Sequence, residues 1–171
     1  FYACMTAKYW FEQVARLPVE IDVASEYRYR EPPVPARTLA IFVSQSGETA
    51  DTLAALRYCK GKADKIVSII NVPESSIARE SNLSLPIHAG IEVGVASTKA
   101  FTCQLSVLFI LAIKAAHTLG EISEKTFEHH IQNLRNLPAL VNLAIEKSSQ
   151  IQKTARKLCE VKDVLFLGRG V

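Results

Sequence analysis

Residues 65–71 read Lys65-Ile66-Val67-Ser68-Ile69-Ile70-Asn71, four branched aliphatic side chains with only Ser68 interrupting them. A strand with one face in water alternates apolar and polar residues, whereas a nearly continuous run is the signature of a strand covered on both faces. The run is punctuated by a turn at 61–64 before it and by Val72-Pro73 after it. A buried strand of this kind calls for helices on both sides of a sheet. The preceding stretch supplies the same arrangement, with an apolar run at 38–43, a polar turn, and a helical pattern at 50–60 whose Leu53 and Leu56 share one side. Strand and helix alternate in this way along much of the chain, which predicts an α/β fold with a parallel sheet.

The remaining segments fit that plan. Residues 1–17 are predicted as a helix from the spacing of Ala7, Trp10, Phe11 and Val14, with Pro18 at its end. Residues 19–23 alternate apolar and acidic, as a strand near a sheet edge does, and the segment around Pro32, Pro33 and Pro35 reads as a loop. A short helix at 76–80 and a brief strand at 84–88 follow, then a second polar turn, then a long helix to about His117 that stops at Gly120. From Glu121 the chain turns polar and amphipathic. Helices are predicted at 123–136, with a restart at Pro138, and at 148–159, and 164–167 reads as a short strand.

Two turns carry the chemistry. Ser44-Gln45-Ser46-Gly47-Glu48-Thr49 lies between a strand and a helix start, where free backbone N–H groups and the positive end of the helix dipole meet hydroxyl and amide donors. Such a turn binds phosphate, or its hydroxyls merely cap the helix. Gly94-Val95-Ala96-Ser97-Thr98-Lys99 repeats the composition before the next long helix, with Ser97 as a ligand contact or an N-cap. Helix starts at the ends of parallel strands converge on one edge of an open sheet, where ligands of such folds bind. Glu92 reads as an ordinary loop acid, with contact to a sugar as the alternative, and His88 as a packed or solvent-facing residue.

Composition closes off other classes. Twenty Lys and Arg against seventeen Asp and Glu leave a scattered net charge of +3, and Tyr27-Arg28-Tyr29-Arg30 is too short a basic-aromatic cluster, so no nucleic acid partner is expected. Cys4, Cys59, Cys103 and Cys159 are widely spaced without metal-ligand pattern, which suits reduced thiols in a cytoplasmic protein. His129 and His130 project about 100° apart on a helix and cannot chelate one metal together. The opening residues have no signal-peptide pattern, and the apolar window 105–116 falls short of the ~20 residues of a membrane span, so no membrane association is expected.

Ser44-Gln45-Ser46-Gly47-Glu48-Thr49, followed by Ala50-Asp51-Thr52-Leu53, resembles the phosphosugar-binding loop of SIS (sugar isomerase) domains. Ser25-Glu26-Tyr27-Arg28-Tyr29-Arg30, Asn71-Val72-Pro73, Ala78-Arg79-Glu80-Ser81, Gly94-Val95-Ala96-Ser97-Thr98-Lys99-Ala100-Phe101-Thr102 and Leu167-Gly168-Arg169-Gly170 extend the resemblance over residues 1–171. Together they resemble the isomerase half of the glucosamine-6-phosphate synthases, the glutamine-dependent fructose-6-phosphate aminotransferases. The resemblance implies a three-layer αβα sandwich with a flavodoxin-like parallel sheet, truncated at both ends. Residues 1–120 correspond to a first SIS domain lacking its first strand, and 121–171 to the helices and first strand of a second.

By the same resemblance, Ser44, Gln45, Ser46 and Thr49 hold the phosphate and sugar, and Val95 and Ser97 line the sugar. The carboxylates of Glu48 and Asp51 are expected to point away from the anion. The ligand is a sugar phosphate, fructose 6-phosphate or glucosamine 6-phosphate, with no metal and no cofactor. The family's catalytic base, ring-opening histidine and imine-forming lysine correspond to nothing within these residues, so no catalytic residue is assigned and no turnover is expected of this chain alone. A glutaminase domain and a homodimer are the implied partners. The family's first strand and its Cys-Gly-Thr-Ser turn fall just before Phe1, which would orphan 19–23; residues 164–167 are expected to fill the vacant slot, within one chain or by exchange between two. Two other readings remain open: a SIS-type sensor of a phosphosugar without catalysis, and a structural α/β interaction domain whose serine turns are ordinary caps.

Overall fold

The computed structural model describes residues 1–94 and 97–168, in two units, Phe1–Ile122 and Ser123–Val171. In the first unit, β1 (Leu39–Ser44), β2 (Lys65–Ile70) and β3 (Leu83–Pro86) form a parallel sheet in the order β1-β2-β3. Leu39 pairs with Lys65 and Ser44 with Ile70, and Val67 to Ile70 pair with Leu83 to Pro86. The helices are α1 (Tyr2–Gln13), α2 (Ala24–Arg30), α3 (Ala50–Cys59), α4 (Ser76–Glu80) and α5 (Lys99–Thr118).

The run that demanded cover on both faces receives it. Ile69 is fully buried in one cluster with Ala3, Ala7 and Phe11 of α1 and Leu108, Ala112 and Ala116 of α5. Ile66 and Ile70 face the other way, onto Leu56 and Cys59 of α3 and Ile77 and Ala78 of α4. This is the expected α/β sandwich, helices on both sides of a parallel sheet. Each fully buried isoleucine contributes about 2 kcal/mol of transfer free energy. Alanines at i, i+4 spacing on α1 and α5 let the two helices approach closely, and the Trp10 and Phe109 rings meet edge to face at 5.1 Å. At twenty residues, α5 is long and apolar enough to span a membrane by length and composition, a longer element than the window 105–116 implied. Its Ala100, Leu108, Ala112, Ile113 and Ala116 are buried inside the unit instead.

Three expectations need correction here. Residues 19–23 form no strand; they run unpaired between α1 and α2, because alternation alone makes no ladder without a neighbour to bond. The segment after them, read without an element of its own, forms α2, with Glu26 in its first turn, Arg28 and Arg30 in its last, and left-handed Glu31 closing it before Pro32. Among the described residues β1 pairs only with β2 and 164–167 form no strand, so the filling of the slot within one chain is not what the structure contains.

In the second unit, α6 (Glu124–Ile145) starts at Ser123, whose Oγ accepts a hydrogen bond from Thr126 N at 3.2 Å. It runs through Pro138 without the restart expected there; one ladder bond is lost, while helical patterning on both sides carries the element on. Then comes α7 (Ser148–Leu158), and 164–167 form no strand, with Leu165, Phe166 and Leu167 81%, 90% and 85% exposed.

Candidate phosphate-binding site

β1 delivers Ser44 to the C-terminal edge of the sheet, and α3 begins at Ala50. The turn between them is built by its own side chains. Ser44 is nearly buried; its Oγ accepts a hydrogen bond from Gly47 N at 3.1 Å and lies 3.2 Å from Thr49 Oγ1. Ser46 Oγ accepts from Glu48 N at 3.2 Å. Gly47 has φ +68°, and a Cβ there would lie 2.0 Å from Ser75 Oγ and 2.5 Å from Ser75 Cβ. Both its backbone conformation and its closeness to Ser75 require glycine. Gly47 O accepts from Ile77 N at 3.0 Å, which fastens the turn to α4.

The capping alternative is not what the structure contains at α3. Thr49 occupies the N-cap position with extended backbone, yet its side chain accepts no capping hydrogen bond. The donors of the first helical turn are therefore left without a side-chain acceptor, at the positive end of the helix dipole.

The two nearby carboxylates are both engaged elsewhere. Glu48 Oε1 accepts from Ser76 N at 2.7 Å, and that bond, helped by the Arg79 charge, holds the Glu48 carboxyl below its ordinary range. Asp51 Oδ1 takes a 2.7 Å ion pair from Arg28 Nη1, which joins α2 to the first turn of α3. The sequence pointed to the repulsion these acids would create, but not to the groups that satisfy them. Arg28 and Ser76 are twenty-three and twenty-eight residues away from them in the chain.

The second loop, 87–98, leaves β3 on the same sheet edge, since β1 and β3 flank β2 in parallel. Asn71, directly after β2, touches both turns. Its N–H donates to Gln45 O at 3.1 Å, its Oδ1 accepts from Ala89 N at 2.9 Å and its Nδ2 donates to Gly90 O at 2.6 Å. Ser97, expected as contact or cap, is exposed and donates to Glu92 Oε2 at 3.2 Å. The N-cap of α5 is Thr98, without a side-chain bond, while Glu92 Oε2 accepts from Ala100 N at 3.4 Å. Glu92 is thus the capping group of this helix. His88 is exposed, with a left-handed φ of +51°. Val95 lies outside the described residues. Ser44, Gln45, Ser46 and Thr49 are brought together in one turn, and Asn71 connects that turn to the loop bearing Ser97.

Residues 1–114 match the family model described as the SIS domain. Over 169 residues the chain is 57% identical to a glutamine–fructose-6-phosphate aminotransferase (isomerizing) of Bradyrhizobium diazoefficiens, covering 99% of this chain and 28% of that protein. It is 51% identical to the corresponding protein of Zymomonas mobilis, again over 99% of the chain and 28% of the relative. Among solved structures it matches the C-terminal domain of glucosamine-fructose-6-phosphate aminotransferase from Francisella tularensis, with a TM-score of 0.95 and 41% identity, over 98% of this chain and 48% of that one. A glucosamine-6-phosphate deaminase of Thermotoga maritima matches at a TM-score of 0.64 and 29% identity, over 74% and 39% of the two chains. The chain thus spans little more than a quarter of the length of the curated relatives it matches.

Proposed function

This chain belongs to the SIS domain family, and from that premise we propose that it is the phosphosugar-binding part of a glutamine-dependent fructose-6-phosphate aminotransferase. The observation that carries the reading is the turn at 44–49: a strand-to-helix turn with hydroxyls on it, no side-chain cap on the helix behind it, and both neighbouring acids already bonded. That arrangement accepts a dianion through N–H and O–H donors without a metal or a lysine. Ser46 and Thr49 donate to the phosphate, Gln45 reaches the sugar, and Ser44 holds the turn's shape beneath them. Ser97 and Val95 line the sugar side.

The reaction joins ammonia, released from glutamine, to the carbonyl carbon of open-chain fructose 6-phosphate with loss of water; proton transfer between C1 and C2 then gives glucosamine 6-phosphate. Acid and base groups for those proton movements come from parts of the enzyme other than these residues. Residues 1–120 belong to the first SIS domain, and 121–171 begin a second. A glutaminase domain, a homodimeric parent and a cytoplasmic location complete the reading.

The test is titration of fructose 6-phosphate into an aminotransferase containing this segment, with Ser46→Ala and Thr49→Ala beside the parent. Weakened sugar-phosphate binding in both supports the site; unchanged affinity in both overturns it. The 171-residue chain alone is expected to form no glucosamine 6-phosphate, and product from it would overturn its assignment as a binding part.

A further inference from the structure

Asn71 is used by the two halves of the site in different ways. Its backbone N–H holds Gln45 O of the phosphate turn, a bond that any residue but proline at position 71 could make. Its side chain does something only a carboxamide can do: Oδ1 accepts from Ala89 N while Nδ2 donates to Gly90 O, at 2.9 and 2.6 Å. The backbone segment it grips is an unusual one. His88 and Gly90, on either side of Ala89, both have left-handed backbones, φ +51° and +69°. A non-glycine residue in that region persists where its surroundings hold it.

The grip passes along the loop. Beyond Gly90, Ile91 O accepts from Lys99 Nζ at 2.5 Å, and Glu92 bonds both Ser97 and the start of α5. The phosphate turn needs none of this, since Ser44, Gly47, Glu48 and the α4 backbone hold it independently.

We propose that Asn71 is a positioning residue that sets the sugar-side loop at a fixed offset from the phosphate turn, and so governs recognition of the sugar but not of the phosphate. The proposal rests on the phosphate-site reading above. It is tested by calorimetric titration of an aminotransferase containing this segment, and of its Asn71→Ala and Asn71→Asp variants, with inorganic phosphate and with fructose 6-phosphate, alongside amide hydrogen exchange. Asn71→Asp keeps the acceptor for Ala89 N but sets an anionic oxygen against Gly90 O.

The expected result is a loss of about ten-fold in fructose 6-phosphate affinity for both variants, with inorganic phosphate affinity unchanged. Exchange at Ala89 quickens in Asn71→Ala, while exchange at Gly47 does not. Unchanged fructose 6-phosphate affinity, or equal loss of both ligands, overturns the role assigned to Asn71 and leaves the phosphate site standing. A parent enzyme that binds neither ligand overturns the site itself and this role with it.

Discussion

The two polar turns look alike in sequence and are held in different ways. The turn at 44–49 is closed by bonds among its own residues and to α4, and it has a glycine that nothing else can replace. The loop at 87–98 is held by Asn71 from outside and by its own Glu92, which bonds Ser97 and the start of α5, and it leaves Ile91 and Val93 82% and 94% exposed. Similar residue types are therefore held largely by bonds among themselves and to α4 in one place, and largely by Asn71 and Glu92 in the other. On the proposed reading, the first turn meets the phosphate and the second the sugar.

The hardest blow to this contrast is Gly47→Ala. A methyl group 2.0 Å from Ser75 Oγ on a left-handed backbone should cost about 3 kcal/mol of stability, read from urea unfolding. Adding Ser75→Gly should recover the steric part but not the backbone part. A Gly47→Ala chain as stable as the parent would mean that the first turn is no more rigid than the second.

Next in size is the comparison of hydroxyl deletions in an aminotransferase containing this segment. Thr49→Ala should weaken sugar-phosphate binding by about 1.5 kcal/mol, the range of a hydrogen bond to a charged group, and Ser97→Ala by less. The reverse order would place the main anion contact in the second loop. Arg28→Ala should act more gently, through Asp51. Freed of its partner, that carboxylate opposes an anion bound at the start of α3, so phosphate affinity falls several-fold and Asp51→Asn in the same chain restores it. Without that rescue, the ion pair has no part in protecting the cradle.

The smallest effect lies in acid. Glu80 bonds Arg57 and Lys60 of the α3 end, each at 2.6 Å, and those cations hold its carboxyl down at about 2. The folded value lies below the ordinary carboxylate value of 4.5, so the contribution is complete above that range and is lost as pH falls from there through about 2. Glu80→Gln should flatten the acid limb of a stability-versus-pH curve while leaving ligand affinity at neutral pH alone. A change in that affinity would tie the far end of α3 to the site.

What could be read in advance divides along the same lines as what is local. β1, β2, α3, α4 and α5 were legible because each is written in a contiguous pattern, and the strand-to-helix turn at 44–49 because its residues bond one another within five positions. α2 was overlooked because seven residues give too short a period, although its acidic start, basic end and following Pro32 were there to be used. Residues 19–23 and 164–167 have the composition of strands, but a ladder needs a second chain segment, and patterning is silent on whether one is present. The jobs of Asn71 and Asp51 were hidden for a related reason. Their partners are eighteen to twenty-six residues distant, and only the folded sheet edge sets them side by side.

The packing of α1 on α5 has a bearing on the order of events during synthesis. Ala3, Ala7 and Phe11 leave the ribosome before Leu108, Ala112 and Ala116 have been made, and at roughly 5–20 residues per second the first helix waits some 5–20 s for its partner. Throughout that interval its apolar stripe has no native cover from α5. The sheet and α3 can form in the meantime from neighbouring segments, whereas closure of the α1 side depends on a contact between the two ends of the unit. Within this unit, the helix translated first is thus among the last to be locked in place.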